Sequence, residues 1–479
     1  MEHQVNDIEE KLPIINKVAY GVAYIGNSSL SQLALGGAVS FFYSTKMGLE
    51  ANWIALAWLI FSFWNAINDP LIGIIQDKTK SRWGRRVPYL RFGAPFYSLA
   101  FIMMWFPFGS ASQQGLLFTS FLINLFIFDT LYSMIGLITY GLAAEMCVTT
   151  KCRSNLIIWG SLLGAVGSVI SLVIPMILLT ETGVHPAFRP TMIGLAGFSM
   201  ICLIWSSFYI KENKYTQREE TLSFIKSITE SFKNKPFLVF EGAVFLLTIA
   251  QTILFTGLYY FIDYILVLEG IMASLPLASI YIVSLFALFI WNYVNRKIGL
   301  KKSFIISLGI GAVAGILSFF AGHNFWFSLI TLSIFGFGIS GSGLFTGQIN
   351  ADCIDNDELR TGKRRETSYS GVNALITKPA ISIANAVFFY IIEAFGFPHS
   401  IESIPNYIAT ESVKTGILIG FTLIPAIMFV GAMLIMIFYP LDGSAWENKK
   451  KLVQQIHLKK EEEYLDFLRN EQFEKKSEG

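Results

Sequence analysis

Long apolar runs, separated by polar stretches, dominate the chain between residues 18 and 439. About 20 mainly apolar residues suffice for a helix to cross a bilayer. On that measure the pattern predicts twelve helical spans, near residues 18–44, 52–75, 89–109, 115–146, 155–180, 190–211, 237–268, 273–295, 303–322, 326–351, 367–397 and 412–439. Gly and Pro recur inside them, as bilayer helices tolerate. The expected class is therefore an all-α membrane protein.

The polar stretches between spans are not alike. Lys78, Lys80, Arg82, Arg85 and Arg86 follow span two, Arg296, Lys297, Lys301 and Lys302 follow span eight, and Arg360, Lys363, Arg364 and Arg365 follow span ten. Of 36 Lys and Arg, only Lys46, Arg189 and Lys414 fall on the opposite face, and Lys378 falls inside span eleven. By the positive-inside rule the basic face is cytoplasmic and carries both termini. The segment Met1–Lys17 lacks a signal-peptide pattern, so the first span is expected to act as an uncleaved insertion signal.

The longest polar loop, 212–236, divides the chain into a cytoplasmic N-terminus (1–17), a six-helix half (18–211), a second half (237–439) and a charged cytoplasmic tail (440–479). Residues 217–232 of that loop could form an interfacial helix. Asp77-Lys78 and Gly84-Arg85-Arg86 after span two have a weak echo in Asn295-Arg296, Gly299, Lys301 and Lys302 after span eight. Paired halves of this kind are a transporter organisation with a substrate site near the midplane.

The composition agrees: 479 residues, 53% hydrophobic, and 15% charged against roughly 25% in soluble domains. Cys147, Cys152, Cys202 and Cys353 show neither zinc spacing nor a disulfide framework, and free thiols are expected. No phosphate-binding loop, metal motif or nucleophile elbow occurs, so an enzyme is not expected. No resident cofactor or metal is expected, nor a nucleic-acid partner.

Ionisable groups inside spans are costly and are functional candidates by default. Asn65, Asn68 and Asp69 share one face of span two, with Pro70 loosening the ladder beside them. They could hold a cation or a proton, or Asp69 could simply lock two helices together. Lys378 in span eleven needs a partner, and Asp69 across the halves is a reasonable one. Polar and aromatic stripes could line a cavity for a small solute: Tyr20, Tyr24, Asn27, Ser28 and Ser31 on span one; Asp129, Tyr132, Ser133, Gly136 and Tyr140 on span four; Gln251, Tyr259, Tyr260 and Asp263 on span seven; Tyr369, Asn373 and Thr377 on span eleven. Asp352, Asp355, Asp357, Glu358, Arg364 and Arg365, together with Arg85 and Arg86, could form ion pairs that close the cytoplasmic side.

Asn68-Asp69-Pro70-Leu71-Ile72-Gly73, followed by Ser81-Arg82-Trp83-Gly84-Arg85-Arg86 and Pro88, resembles the glycoside–pentoside–hexuronide:cation symporters. The segment from Ala351 to Glu366 resembles that family's loop between spans ten and eleven, and Lys378 falls where its members carry a lysine. The resemblance implies a twelve-helix major facilitator fold, alternating access and sugar uptake coupled to a cation. It implies Asp69 as a cation-site carboxylate with Asn68 beside it. The chain departs from the family's melibiose-type members at four charged positions, where it has Asn65, Ser28, Gly136 and Ser161. With one carboxylate left opposite Lys378, H⁺ coupling or plain facilitation is expected over Na⁺ coupling.

The expected function is secondary transport of a small polar solute, a sugar or glycoside, by a monomer in the plasma membrane, in contact with lipid. The rivals are a lysophospholipid or other amphiphile carrier of the same fold, and a membrane sensor on a transporter scaffold.

Overall fold

The computed structural model describes residue 10 and residues 12–477, apart from 36, 80, 148, 180–184, 213–228, 363–364 and 399–407. Among these, helices occupy all twelve expected positions: α1 (Ile14–Leu35), α2 (Ala51–Lys78), α3 (Val87–Met104), α4 (Gln114–Met146), α5 (Thr150–Leu179), α6 (Phe188–Tyr209), α7 (Lys235–Tyr260), α8 (Leu275–Ile298), α9 (Leu300–Ala321), α10 (Phe325–Thr361), α11 (Glu366–Ala394) and α12 (Glu411–Leu418 with Ile424–Ile437). The tail forms α13 (Gly443–Ser477). Ten described helices are long and apolar enough to cross a membrane; α1, which is interleaved with polar residues, and the shorter α3 fill the other two positions. The interfacial helix expected over 217–232 falls mostly outside the described residues.

Local chemistry sets several boundaries. The Asn324 side chain accepts from the Trp326 and Phe327 amides and starts α10, and Thr410 caps α12 in the same way. The Glu212 carboxylate accepts from the backbone amides of Arg85, Arg86 and Val87 at the start of α3, where the helix presents unsatisfied donors. Gly84 makes that approach possible: its φ is 112°, and a Cβ there would lie 2.5 Å from the Glu212 carboxyl carbon.

The first six helices pack among themselves, α1 against α5 and α6, α2 against α4, and α3 against α4 and α6. The last six do likewise, α7 against α11 and α12, α8 against α10, and α9 against α10 and α12. The two groups meet along α2 and α11. They meet again at the ends opposite the basic face. There α1 continues through Ala38–Phe41 into a π-helical turn, Phe42–Lys46, and α7 ends in another, Phe261–Leu266. Phe41 packs edge-on against Tyr260, and Ser44 and Tyr260 share a hydrogen bond. Gly37, at φ 95°, lets the chain pass so close to α7 that a Cβ would lie 2.5 Å from the Thr256 Cα.

Cys147 and Cys152 are joined, which corrects the expectation of free thiols at these two positions; Cys202 and Cys353 are free and buried. The spacing of five residues across the α4–α5 turn brings the pair within reach of a bond.

Candidate functional site

Two helices carry a charged residue immediately before a proline, Asp69-Pro70 on α2 and Lys378-Pro379 on α11. Each proline removes a backbone donor from its helix. The Lys378 carbonyl accepts from Asn65 Nδ2 at 3.0 Å. Asn65 Nδ2 also approaches the Ser382 hydroxyl at 3.5 Å.

The two charges meet. Lys378 Nζ lies 2.6 Å from Asp69 Oδ1, 2.9 Å from Ser133 Oγ and 3.5 Å from Asp129 Oδ1. The Tyr132 ring centroid is 5.6 Å away, within cation–π range. Asn68 Nδ2 joins α2 to α4, with Asp129 Oδ2 at 2.8 Å, the Asp129 carbonyl at 3.0 Å and Ser133 Oγ at 2.9 Å. Asn65, Asn68, Asp69, Asp129 and Ser133 are all buried. Helical spacing explains the convergence: Asp129, Tyr132 and Ser133 stand on one face of α4, as Asn65, Asn68 and Asp69 do on α2.

The sequence expectation counted one carboxylate opposite Lys378, and the structure brings two. With all three groups ionised the cluster carries a net charge of −1. Among the described residues two buried acceptors of the cluster, Asn65 Oδ1 and Asp129 Oδ1, accept no hydrogen bond, the latter having only the ammonium of Lys378 at 3.5 Å. Hard oxygen donors, one excess negative charge and unsatisfied lone pairs suit a single small monovalent cation or a proton.

The other expected residues are spread more widely. Tyr24 bonds to Tyr20 at 3.2 Å, and both rings lie against Gly160 of α5. Asn27 and the Tyr132 ring flank Gly136, so the first-half stripes do approach one another. Ser28 Oγ donates to the carbonyls of Tyr24 and Gly164 and serves helix packing. Tyr259 lies at the far end of α7 against Phe41, whereas Asn373 sits toward the basic face, bonded to Glu241. Gln251 is half-buried. The Tyr140 side chain and Arg364 fall outside the described positions.

At the basic face the ion pairs seen among the described residues lie within each half. Arg85 and Arg86 bind Glu145, at 3.3 and 2.6 Å. Arg365 and Arg360 bind Asp357. Asp352 accepts from Trp446 Nε1 and Lys450 Nζ of α13, both at 2.8 Å, and His457 meets Glu358 at 2.8 Å. Asp355 lies close to Glu358 and His457. Sequence reasoning passed over Glu145, Glu212 and Glu241. Glu241 stands in an apolar run, so the rule that singled out Asp69 would have found it.

Paired helical bundles with buried polar groups at their seam are a transporter organisation. Comparison with known proteins makes the class specific: residues 19–443 match the family described as MFS/sugar transport protein, and the chain belongs to it. It is 24% identical to an uncharacterized symporter of Synechocystis sp., covering 93% of this chain and 97% of that one. It is 22% identical to the isoprimeverose transporter of Lactiplantibacillus pentosus, covering 84% of each. It is 20% identical to the mouse sodium-dependent lysophosphatidylcholine symporter 1, covering 94% of this chain and 89% of that one. Among solved structures, a D-xylose-proton symporter matches with a TM-score of 0.61 at 13% identity, covering 89% of this chain and 97% of that one. The nucleoside transporter NupG matches with a TM-score of 0.59 at 16% identity, covering 88% and 99%. At these identities the structures speak to the fold alone.

Proposed function

We propose that the chain imports a sugar or glycoside by alternating access, with residues 18–211 and 237–439 rocking about the seam of α2 and α11. One observation carries the reading: Lys378 of the second half is bound to Asp69, Asp129 and Ser133 of the first at the helix seam. A charge cluster shared by two moving bodies changes whenever they part, so its occupancy is linked to their arrangement. The net charge of −1 leaves room for one coupling cation, H⁺ or Na⁺, among Asp69, Asp129, Asn65 and Asn68. A cation here would loosen Lys378 and release the seam.

The solute would lie toward the aromatic and polar stripes of α1 and α4, against Tyr24, Asn27 and Tyr132. Flat rings and amides suit sugar faces and hydroxyls. We assign the basic face to the cytoplasm and the chain to the plasma membrane, as a monomer among lipids. The family match and the sugar-named relatives support the solute class. Uptake of radiolabelled lactose and related glycosides into proteoliposomes tests it; binding of none of a broad sugar panel would overturn it.

A second reading has its own observation. An apolar groove of about 440 Å³ lies beside α3 and α4, lined by residues including Tyr89, Phe92, Phe96, Leu131 and Met134. It would suit an acyl chain, and a lysophospholipid arm in the same screen addresses it.

A further inference from the structure

Glu241 is 2% exposed, in an otherwise apolar stretch of α7. At about 1.5 Å per residue it lies roughly 9 Å along the helix from Lys235. Both of its carboxyl oxygens accept from the same group, Asn373 Nδ2 of α11, at 3.0 and 3.2 Å. Among the described residues no other hydrogen bond reaches it. Among the described residues no Lys, Arg or His pairs with it: Lys378 is bound to Asp69 and Asp129, Arg360 and Arg365 to Asp357, Lys450 to Asp352, and Lys235 is exposed. Titratable groups near it include Cys353 of α10, with Asp352 and Tyr439 beside that thiol. None of these supplies positive charge. An ionised carboxylate with one amide for company and no counter-charge is too costly to bury, whereas a neutral acid is not.

We propose that Glu241 is a proton-binding site of the transporter, separate from the Asp69–Asp129–Lys378 cluster. In the arrangement described here it holds its proton as the neutral acid. When the halves part on the basic face, water reaches the seam of α7 and α11, and the proton passes to that water to leave a hydrated carboxylate. Asn373 keeps the group oriented, and Thr377, whose hydroxyl donates to the Asn373 carbonyl, links this spot to the turn that carries Lys378. The inference rests on the alternating-access reading and deepens it by naming H⁺ as an ion that moves with the cycle.

The test has two arms. In the first, reconstituted protein is treated with a hydrophobic carbodiimide, which attacks protonated carboxyls in apolar surroundings, and the adduct at Glu241 is followed by mass spectrometry. An adduct that forms at neutral pH and vanishes as the pH is raised is expected; none at any pH, or one indifferent to pH, overturns the proposal. In the second, proteoliposomes under an imposed pH gradient are given radiolabelled lactose. Wild type should accumulate it, Glu241→Gln should not, and Glu241→Asp, which restores a proton-binding group, should recover accumulation. Size-exclusion profiles report whether each variant folds. A Gln variant that still accumulates lactose overturns the role of Glu241 and leaves the sugar reading intact. If wild type moves no lactose, the sugar reading loses its support and the carbodiimide arm decides for Glu241.

Discussion

Lys378 and Asp69 meet at 2.6 Å although one belongs to α11 and the other to α2, so their hydrogen bond spans the seam between the two groups of six helices. Removing one member of a buried pair leaves the other uncompensated, at a cost of about 3–5 kcal/mol. Lys378→Met should therefore lower the thermal midpoint of the purified protein markedly and abolish uptake. The double variant Asp69→Asn/Lys378→Met should melt higher than Lys378→Met alone. Equal midpoints for Lys378→Met and wild type would mean that the pair has no structural weight.

Asp129 supplies the carboxylate that makes the cluster net negative. Asp129→Asn keeps the shape and removes that charge, so one Asp and one Lys would cancel. Cation-driven accumulation should fall by at least about tenfold, equivalent to about 1.4 kcal/mol of lost cation binding. Flux assays with imposed H⁺ and Na⁺ gradients would measure it; unchanged accumulation would remove Asp129 from the coupling site.

Gly37 is fixed by its φ of 95° and by Thr256 of α7. Gly37→Val places a branched side chain where the backbones touch, and a non-glycine residue in such a conformation costs on the order of 1–3 kcal/mol. The contact between the far ends of α1 and α7 should loosen. Thiol labelling of a cysteine introduced near Ser44 should become faster from the side opposite the basic face.

The Glu212 carboxylate satisfies three amides at the start of α3. Glu212→Ala should cost about 1–2 kcal/mol, as other helix-capping losses do. Denaturation in detergent would read this directly, and Glu212→Gln, which keeps an acceptor, should lie between the two.

Much of this fold was legible in the apolar runs. Residues 115–146 were expected as a span and Gln114–Met146 is the helix; 367–397 became Glu366–Ala394. The span expected over 326–351 in fact runs to Thr361, because the helix leaves the apolar zone and continues through polar residues. Hydrophobicity marks the edge of the membrane, not the end of the helix. The Asp69–Lys378 pair was legible for a simple reason, that isolated buried charges need each other. That Asp129 joins them depends on how α2 and α4 rotate about their axes, which no run of residues encodes. The partners of Arg85 and Arg86 were obscure for the opposite reason: a basic loop near many carboxylates has too many choices, and packing selects Glu145.

The docking of α13 bears on how motion could be watched. Trp446 and Lys450 hold Asp352, and His457 holds Glu358, so the tail helix is fastened to the end of α10. A fluorophore placed early in α13 would ride with the second bundle, and its energy transfer to a dye on the α2–α3 turn would report each opening and closing in real time.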